Sequence, residues 1–464
     1  MGQLFDMEAI MNIRKISSTR LIPLSFLFAI LIGTFLLMLP ISSATKNWTD
    51  FPTSLFTATT SVCVTGLVVV DTFCYWSLFG KIIILGLIQI GGLGIITVIS
   101  MLMLLMQKKF SLSDRKVLQD SLNLNTDSGV LKLLIRIVRG TLIIELFGAL
   151  LYMISFIPEF GITKGIWISV FTSVSAFCNA GIDIIGTTSL ADYHSNPLVL
   201  LVTIILIVLG GLGYVVWFDL STNVRKGIKH KFNPIQIFKR LNEHTRLVLT
   251  VTVTLILFGW IFFFIAEYHN PQTIGNMSTF DKLTNSLFES VTLRTAGFSS
   301  FSQSGLTDLS CVISYVLMFI GGSPVGTAGG VKTVTFFLAM MGVFSYIRSH
   351  NSNILFHRRV SDDSMRKASV IVYVSSFAVI ILTLALIMVN PVRLEDALFE
   401  VISASATVGL TRDLTMGLNL AGRMIIVFAM FLGRIGPISL AVFFAGKTRR
   451  ESQNKYLEGK FLVG

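Results

Sequence analysis

The chain has 464 residues, of which 53% are hydrophobic and only 13% are charged, and its formal net charge at pH 7 is +12. This composition excludes a soluble globular protein, and apolar runs of about 20 residues, each long enough to cross a hydrocarbon core of roughly 30 Å, indicate a protein of the lipid bilayer. The sequence contains no metal-ligand spacing, catalytic triad or nucleotide-binding motif, so we expect neither an enzyme nor a bound cofactor.

The positive charge is concentrated in segments that alternate with apolar runs. Of the 37 Lys and Arg residues, 27 fall in five segments, which are the chain up to Arg20, residues 107–140, 221–246 and 345–367, and the tail from Lys447. A nucleic-acid-binding protein can be equally basic, but this alternation follows the positive-inside rule of membrane proteins. We therefore expect no nucleic-acid partner and place both termini and the basic segments in the cytoplasm.

A short run around a glycine recurs four times. The glycines are Gly66, Gly181, Gly297 and Gly409, which are separated by 115, 116 and 112 residues. Each run follows a short amphipathic stretch and lies between two long apolar segments. A phenylalanine precedes each glycine by nine or ten residues; these are Phe56, Phe171, Phe288 and Phe399. Four copies of one unit predict an internal repeat.

In chain order, each unit contains an outer helix, a half-helix, the glycine run and an inner helix. The helices fall at about 21–39, 52–60 and 78–106 in the first unit, 133–157, 168–176 and 197–220 in the second, 247–266, 282–291 and 311–341 in the third, and 370–389, 394–403 and 421–445 in the fourth. This order predicts an all-α polytopic membrane protein with eight transmembrane helices and four re-entrant half-helices around one pseudo-fourfold pore. Its parts are a cytoplasmic N-terminus (1–20), pore repeats at 21–106, 107–220, 221–344 and 345–446, and a cytoplasmic C-terminal tail (447–464).

The glycine runs suit the dehydration of a cation. Non-helical backbone within a membrane must be buried in protein or line a water-filled path, so four such runs predict a central pore. Carbonyls from four loops can replace the water shell of a monovalent cation, and glycine adopts the positive φ that such a tight turn needs. An ordinary glycine-containing connection would explain one run, but not four at nearly constant spacing.

Five segments resemble the superfamily of potassium transporters that includes the TrkH, KtrB and HKT proteins, and most closely its KtrB-like membrane subunits. The resemblance extends from about Leu21 onwards, and the matching segments are TGL at 65–67, LIQIGGLG at 87–94, RTAGF at 294–298, TVGL at 407–410 and GRIGP at 433–437. It implies a filter whose carbonyls hold potassium, the transported substrate. The filter residues would be Val64, Thr65, Gly66, Asn179, Ala180, Gly181, Thr295, Ala296, Gly297, Thr407, Val408 and Gly409.

The resemblance also has implications for selectivity and partners. In that superfamily a serine in place of the first filter glycine accompanies sodium permeation, so Gly66 favours potassium here. Only the fourth loop reads Thr-Val-Gly, which predicts looser selectivity than in a symmetric potassium channel. KtrB-like subunits form homodimers on a cytoplasmic, nucleotide-binding ring of RCK-type regulatory subunits. The apolar end of the tail, 461–464, is suited to docking at such an interface.

Glycine pairs recur in the inner spans. Close helix packing and a functional role explain Gly91-Gly92 and Gly210-Gly211 about equally well. The third inner segment holds five Gly and one Pro within ten positions, which a continuous helix would not tolerate, so it predicts an intramembrane loop below the filter. By the resemblance this loop is the gate, formed by Gly321, Gly322, Ser323, Pro324, Val325, Gly326, Thr327, Ala328, Gly329 and Gly330.

Two arginines lie at membrane depth, where a charge is costly and functional by default. By the resemblance, Arg434 belongs to the gate and opposes a cation beneath the filter; alternatively, it bonds to carbonyls of the broken loop. We expect Arg294 to brace its loop through backbone carbonyls and Glu289 rather than to contact the ion.

Three further charged residues receive less specific expectations. Lys332 is expected to extend to the cytoplasmic interface, and Glu145 and Asp219 have no assigned role. Because no ATPase motif is present, transport must draw on an ion gradient or a partner. The sequence favours gated potassium uptake and leaves sodium coupling open. A secondary transporter of another cation such as sodium is the alternative, whereas a membrane assembly factor would not need four glycine loops.

Overall fold

The computed structural model describes residues 18–105, 130–348 and 353–436. Residues 1–17 of the predicted N-terminus, the predicted C-terminal tail, most of the basic segment 107–140, and the end of the fourth inner span with Pro437 therefore lie outside the described residues. Within the described ranges the regular structure is almost entirely helical, as the sequence predicts.

The helices follow one another in four similar units. The first unit contains α1 (Ser18–Met38), α2 (Phe51–Cys63), α3 (Thr72–Tyr75), α4 (Leu78–Leu93) and α5 (Ile95–Leu105). The second contains α6 (Val130–Phe160), α7 (Ile162–Cys178), α8 (Pro197–Leu212) and α9 (Tyr214–His230). The third begins with the short α10 (Pro234–Arg240) and contains α11 (Glu243–Glu267), α12 (Thr279–Thr292), α13 (Asp308–Phe319) and α14 (Thr333–Ile347). Strands β1 (Ile354–Leu355) and β2 (Arg358–Arg359) then pair antiparallel, and the fourth unit contains α15 (Asp362–Val389), α16 (Leu394–Ser405) and α17 (Leu420–Ile435).

The outer helix of every unit is long and apolar enough to cross a membrane. The four apolar stretches are Leu21–Met38, Leu131–Phe160, Glu243–Glu267 and Asp362–Val389. Helices α8 and α9 together make a fifth candidate, but they meet at an angle of 102°. The structure thus supports four clear spans, and the total of eight crossings stays a prediction.

The short helices α2, α7, α12 and α16 correspond to the four predicted re-entrant helices and are given that name below. Helix α2 begins at Asp50, whose Oδ2 accepts a hydrogen bond from the amide of Thr53 at 3.0 Å, and Pro52 occupies its first turn. It ends at Val64, which has a left-handed φ of 56°, and α7 ends in the same way at Asn179 with φ 59°. The four phenylalanines predicted to mark these helices, Phe56, Phe171, Phe288 and Phe399, are all fully buried in the core.

Two inner segments are broken, so the sequence prediction of continuous helices at 78–106 and 197–220 was wrong. Helix α4 gives way to α5 at Gly94, and α8 to α9 at Gly213. Helix α17 ends at Gly436, and these three glycines have φ values of 86°, 87° and 89°. Only glycine adopts these φ values freely, and a residue with a positive φ cannot continue a right-handed α-helix. Each break therefore falls on the last glycine of its glycine-rich motif, whereas the sequence analysis predicted a break only in the third inner segment.

The first glycine of three motifs packs against the end of its own re-entrant helix. A Cβ atom at this position would overlap the carbonyl oxygen of the residue four before the glycine of the predicted filter; the pairs are Gly91 with Val62, Gly210 with Phe177, and Gly433 with Ser405. Of the two explanations left open for the glycine pairs, close packing therefore accounts for Gly91 and Gly210.

Replacement of Gly91 by alanine should destabilise the protein, because the methyl group must displace the backbone at Val62. Overpacking of this kind costs about 1–3 kcal/mol. Gly86 provides a matched control on the same helix, since nothing lies within 4 Å of a Cβ there. In thermal unfolding of the detergent-purified protein, we expect a lower midpoint for Gly91→Ala and an unchanged one for Gly86→Ala. Equal midpoints for the two variants would contradict this account.

Candidate ion pathway

The four predicted filter glycines form a closed ring in chain order. A Cβ atom on Gly66 would lie 2.7 Å from the carbonyl oxygen of Ala180. The corresponding distance is 2.5 Å both from Gly181 to Ala296 and from Gly297 to Val408, and a Cβ on Gly409 would overlap the carbonyl oxygen of Thr65. Each glycine thus faces the carbonyl that precedes the glycine of the next repeat, and the fourth repeat closes onto the first.

The backbone takes the same shape in each loop. The residue two before the glycine has a positive φ in all four repeats: 56° at Val64, 59° at Asn179, 72° at Thr295 and 53° at Thr407. The glycines themselves have φ values of 106°, 63°, 82° and 97°, and the residue between the two is not among those with positive φ. The structure therefore brings the twelve predicted filter residues together in four copies of one turn. Residues other than glycine rarely adopt the positive φ that this turn requires.

A hydroxyl group from each re-entrant helix braces its loop, which the sequence analysis missed. Thr60 Oγ1 accepts a hydrogen bond from the amide of Gly66 at 2.9 Å, and Ser403 Oγ accepts one from the amide of Gly409 at 3.0 Å. Ser175 accepts from the amide of Ile182 at 3.1 Å, and Thr292 donates to the carbonyl of Phe298 at 2.6 Å. A Ser or Thr six residues before each glycine, or five in the third repeat, is the signal that could have revealed them.

A cavity of about 360 Å³, here called the vestibule, lies on one side of the ring and is lined by all four glycines. Three carboxylates that follow the glycines also line it: Asp71, Asp183 and Asp413. Asp183 lies between α7 and α8, outside the membrane-spanning helices, and burial raises the pKa of its carboxyl to about 6. An acidic cleft concentrates cations. The sequence analysis did not identify these acids, although each follows its glycine within five residues.

The predicted gate loop, 321–330, lies on the other side of the ring. A Cβ on Gly329 would overlap the side chain of Thr407, which precedes Gly409, whereas the vestibule is lined by residues that follow Gly409. The loop is also bonded to the second repeat: the amide of Ser323 donates to the carbonyl of Gly211 at 2.9 Å. The amide of Tyr214 donates to the carbonyl of Val325 at 3.0 Å. The loop is therefore held between the second and fourth repeats.

Three basic side chains bond to carbonyls of this loop. Arg434 donates to the carbonyls of Thr327 and Gly91, which is the contact that the alternative interpretation of this residue predicted. Lys332 donates to the carbonyl of Ala328 at 2.6 Å. It therefore turns back to the loop, and the expectation that it extends to the membrane interface was wrong.

Arg294 braces backbone, as expected, but its partner differs from the one predicted. It donates to the carbonyl of Gly321 at 3.3 Å, whereas the side chain of Glu289 bonds to Gln303. Arg294 lies two residues beyond the end of α12, so helical spacing from Glu289 does not fix the position of its side chain.

The two acids left without a role have polar partners. Glu145 accepts a hydrogen bond from Nε2 of Gln89 at 3.2 Å, which links α6 to α4. Asp219 accepts one from the amide of Asn242 at 2.9 Å, which ties α9 to the start of α11. These contacts connect helices, and neither acid lines the vestibule.

Comparison with known proteins shows the family. Residues 17–456 match the TrkH family, described as cation transport protein. The chain is 37% identical over 451 residues to Ktr system potassium uptake protein B of Bacillus subtilis, covering 97% of each chain. It is 36% identical over 456 residues to potassium/sodium uptake protein NtpJ of Enterococcus hirae, covering 97% of this chain and 98% of the relative.

A solved structure shows the same fold. The crystal structure of the potassium transporter TrkH from Vibrio parahaemolyticus matches 90% of this chain and 83% of its own, with a TM-score of 0.68 and 16% sequence identity. This likeness shows a shared helical fold. The family match over nearly the whole sequence identifies the chain as a membrane ion transporter and not an enzyme. The chain belongs to the TrkH family of cation transport proteins.

Proposed function

We propose that this chain takes up potassium across the cell membrane and that the ring of four glycine loops is its selectivity filter. The observation that carries the proposal is the closed order of the ring, in which each glycine faces a carbonyl of the next repeat. A dehydrated cation needs several such oxygens at once. Relatives named as potassium uptake proteins, at 37% and 34% identity over almost the whole chain, support potassium as the ion.

The loop 321–330 is the gate in this proposal. It packs on the ring opposite the vestibule, so an ion leaving the ring meets it. Carbonyl bonds from Arg434, Lys332 and Arg294 hold the loop in place. Movement of the loop would break these bonds, which gives the gate a closed state of defined geometry.

The proposal includes partners and orientation. The termini and basic segments face the cytoplasm, and the chain forms a homodimer on a nucleotide-binding ring of RCK-type subunits that controls the gate. The word "system" in the names of the Ktr relatives supports a partner. The exposed basic residues at the end of α9 and in α10, Lys229, Lys231, Lys239 and Arg240, offer a positive surface for it.

A second candidate is transport of sodium, alone or coupled to potassium. The relative named as a potassium/sodium uptake protein supports it, at 36% identity. By the resemblance, the glycine at position 66 favours potassium over sodium. A Cβ there would lie 2.7 Å from the carbonyl oxygen of Ala180 and would distort the ring.

The test is growth rescue of a cell that lacks its potassium-uptake systems, on low potassium. We expect the wild-type chain to restore growth and Gly66→Ser to lose rescue or make it sensitive to sodium. Gly186→Ser is the matched control, since Gly186 lines the vestibule but has nothing within 4 Å of a Cβ. Failure of the wild-type chain, at confirmed amounts in the membrane, would refute potassium uptake.

A further inference from the structure

The residue after the buried phenylalanine of each re-entrant helix differs between the two halves of the chain. It is a threonine in repeats one and two, Thr57 and Thr172, and a glutamate in repeats three and four, Glu289 and Glu400. Both glutamates are fully buried, at 0% exposure. Neither forms an ion pair with any side chain in the described ranges.

Each glutamate bonds the residue six positions after the ring glycine of its own repeat. Glu289 accepts a hydrogen bond from Nε2 of Gln303 at 3.1 Å. Glu400 accepts one from Oγ1 of Thr415 and another, at 2.7 Å, from Oγ1 of Thr411. These partners lie on the exit segments, defined as residues 298–303 and 410–415, through which the chain leaves the ring. Gln303 and Thr411 also line the vestibule.

Repeats one and two have no such tie. The hydroxyl of Thr57 donates back to the carbonyl of Thr53 at 2.9 Å, within its own helix. The hydroxyl of Thr172 is buried and has no hydrogen-bond partner. The side chain of a glutamate therefore anchors the exit segment in repeats three and four, whereas the threonine at the same position in repeats one and two provides no such anchor.

Burial makes these ties important to the fold of the exit segments. A buried carboxyl group costs free energy unless hydrogen bonds satisfy it, and the loss of a partner leaves the group unsatisfied. Thr411 follows Gly409 by only two residues, so a shift of Thr411 also moves the carbonyl of Val408, which faces Gly297 in the ring.

We infer that Glu289 and Glu400 are positioning residues that hold the exit segments of loops three and four and thereby set the ion selectivity of half of the ring. Neither residue lines the vestibule, so each acts through the residue that it bonds. This inference deepens the proposed potassium uptake and rests on it.

The test measures potassium and sodium uptake separately in cells that carry Glu289→Ala or Glu400→Ala. We expect the ratio of potassium to sodium uptake to fall about fivefold, as the loss of a buried hydrogen bond implies. Glu400→Gln retains an acceptor of the same shape and should keep most of the ratio. Thr172→Ala is the matched control at the equivalent position and should keep the wild-type ratio, because Thr172 anchors nothing.

Two further variants remove a hydrogen-bond partner of each glutamate. Gln303→Leu and Thr415→Val should also lower the ratio of potassium to sodium uptake. They test the inference if the alanine variants fail to accumulate in the membrane. Wild-type ratios in these variants, at wild-type amounts in the membrane, overturn the inference but leave potassium uptake standing. A wild-type chain that carries no potassium overturns the proposed function and this inference together.

Discussion

Replacement of Gly409 by alanine is expected to lower potassium uptake at least about tenfold, because a Cβ there cannot coexist with the closed ring. It would overlap the carbonyl oxygen of Thr65 and lie 2.8 Å from Cα of Gly66. The φ of 97° adds a conformational cost of roughly 1–2 kcal/mol for any residue with a Cβ. Both effects widen the ring at the point where the fourth repeat meets the first.

The measurement is the initial rate of potassium uptake into depleted cells, scaled to the amount of protein in the membrane. Gly186→Ala serves as the control, because Gly186 also lines the vestibule and has open space around a Cβ. We expect it to transport at the wild-type rate. Normal uptake by Gly409→Ala would show that ions do not pass through the ring.

Replacement of Arg434 by alanine is expected to raise the rate of uptake by about three- to tenfold, since it removes two charge-assisted hydrogen bonds that hold the loop. Arg434 bonds to Thr327 in the loop and to Gly91 in the first repeat, so one side chain connects three repeats. Without it the loop leaves the closed position more often.

Arg434→Lys separates the bonds from the charge. Lysine keeps the positive charge beneath the ring but cannot reach two carbonyls with a planar fork. If the bonds limit transport, Lys should raise the rate almost as much as Ala; if repulsion of the cation limits it, Lys should behave like the wild type. An unchanged or lower rate in Arg434→Ala, at normal amounts in the membrane, would contradict both accounts.

The sequence predicted the features that repetition makes visible. Four apolar outer helices and four short helices before a glycine recur at nearly constant spacing, so chance could be excluded without any structure. The inner breaks were less visible, because a glycine-rich motif is compatible both with close packing and with a helix end. In the structure, Gly91 serves the first purpose and Gly94 the second, three residues apart in one motif.

Side-chain partners were harder to predict than positions. The bracing hydroxyls alternate between Ser and Thr, and the offset in the third repeat is one residue shorter, at Thr292. Lys332 was expected at the membrane interface because it closes the predicted gate loop and has a long side chain, but its Nζ lies 2.6 Å from the carbonyl oxygen of Ala328. Such contacts depend on the path of a non-helical segment, which the periodicity of the sequence does not predict.

The ring is closed within a single polypeptide, since Gly409 of the last repeat meets Thr65 of the first. In a channel assembled from four identical subunits, one codon change alters every quarter of the coordination shell simultaneously. Here a single mutation changes a residue in only one quarter. In the proposed filter, natural variation can therefore adjust ion preference in small steps. The two halves of the chain already differ at equivalent positions, with Thr57 and Thr172 in the first half and Glu289 and Glu400 in the second.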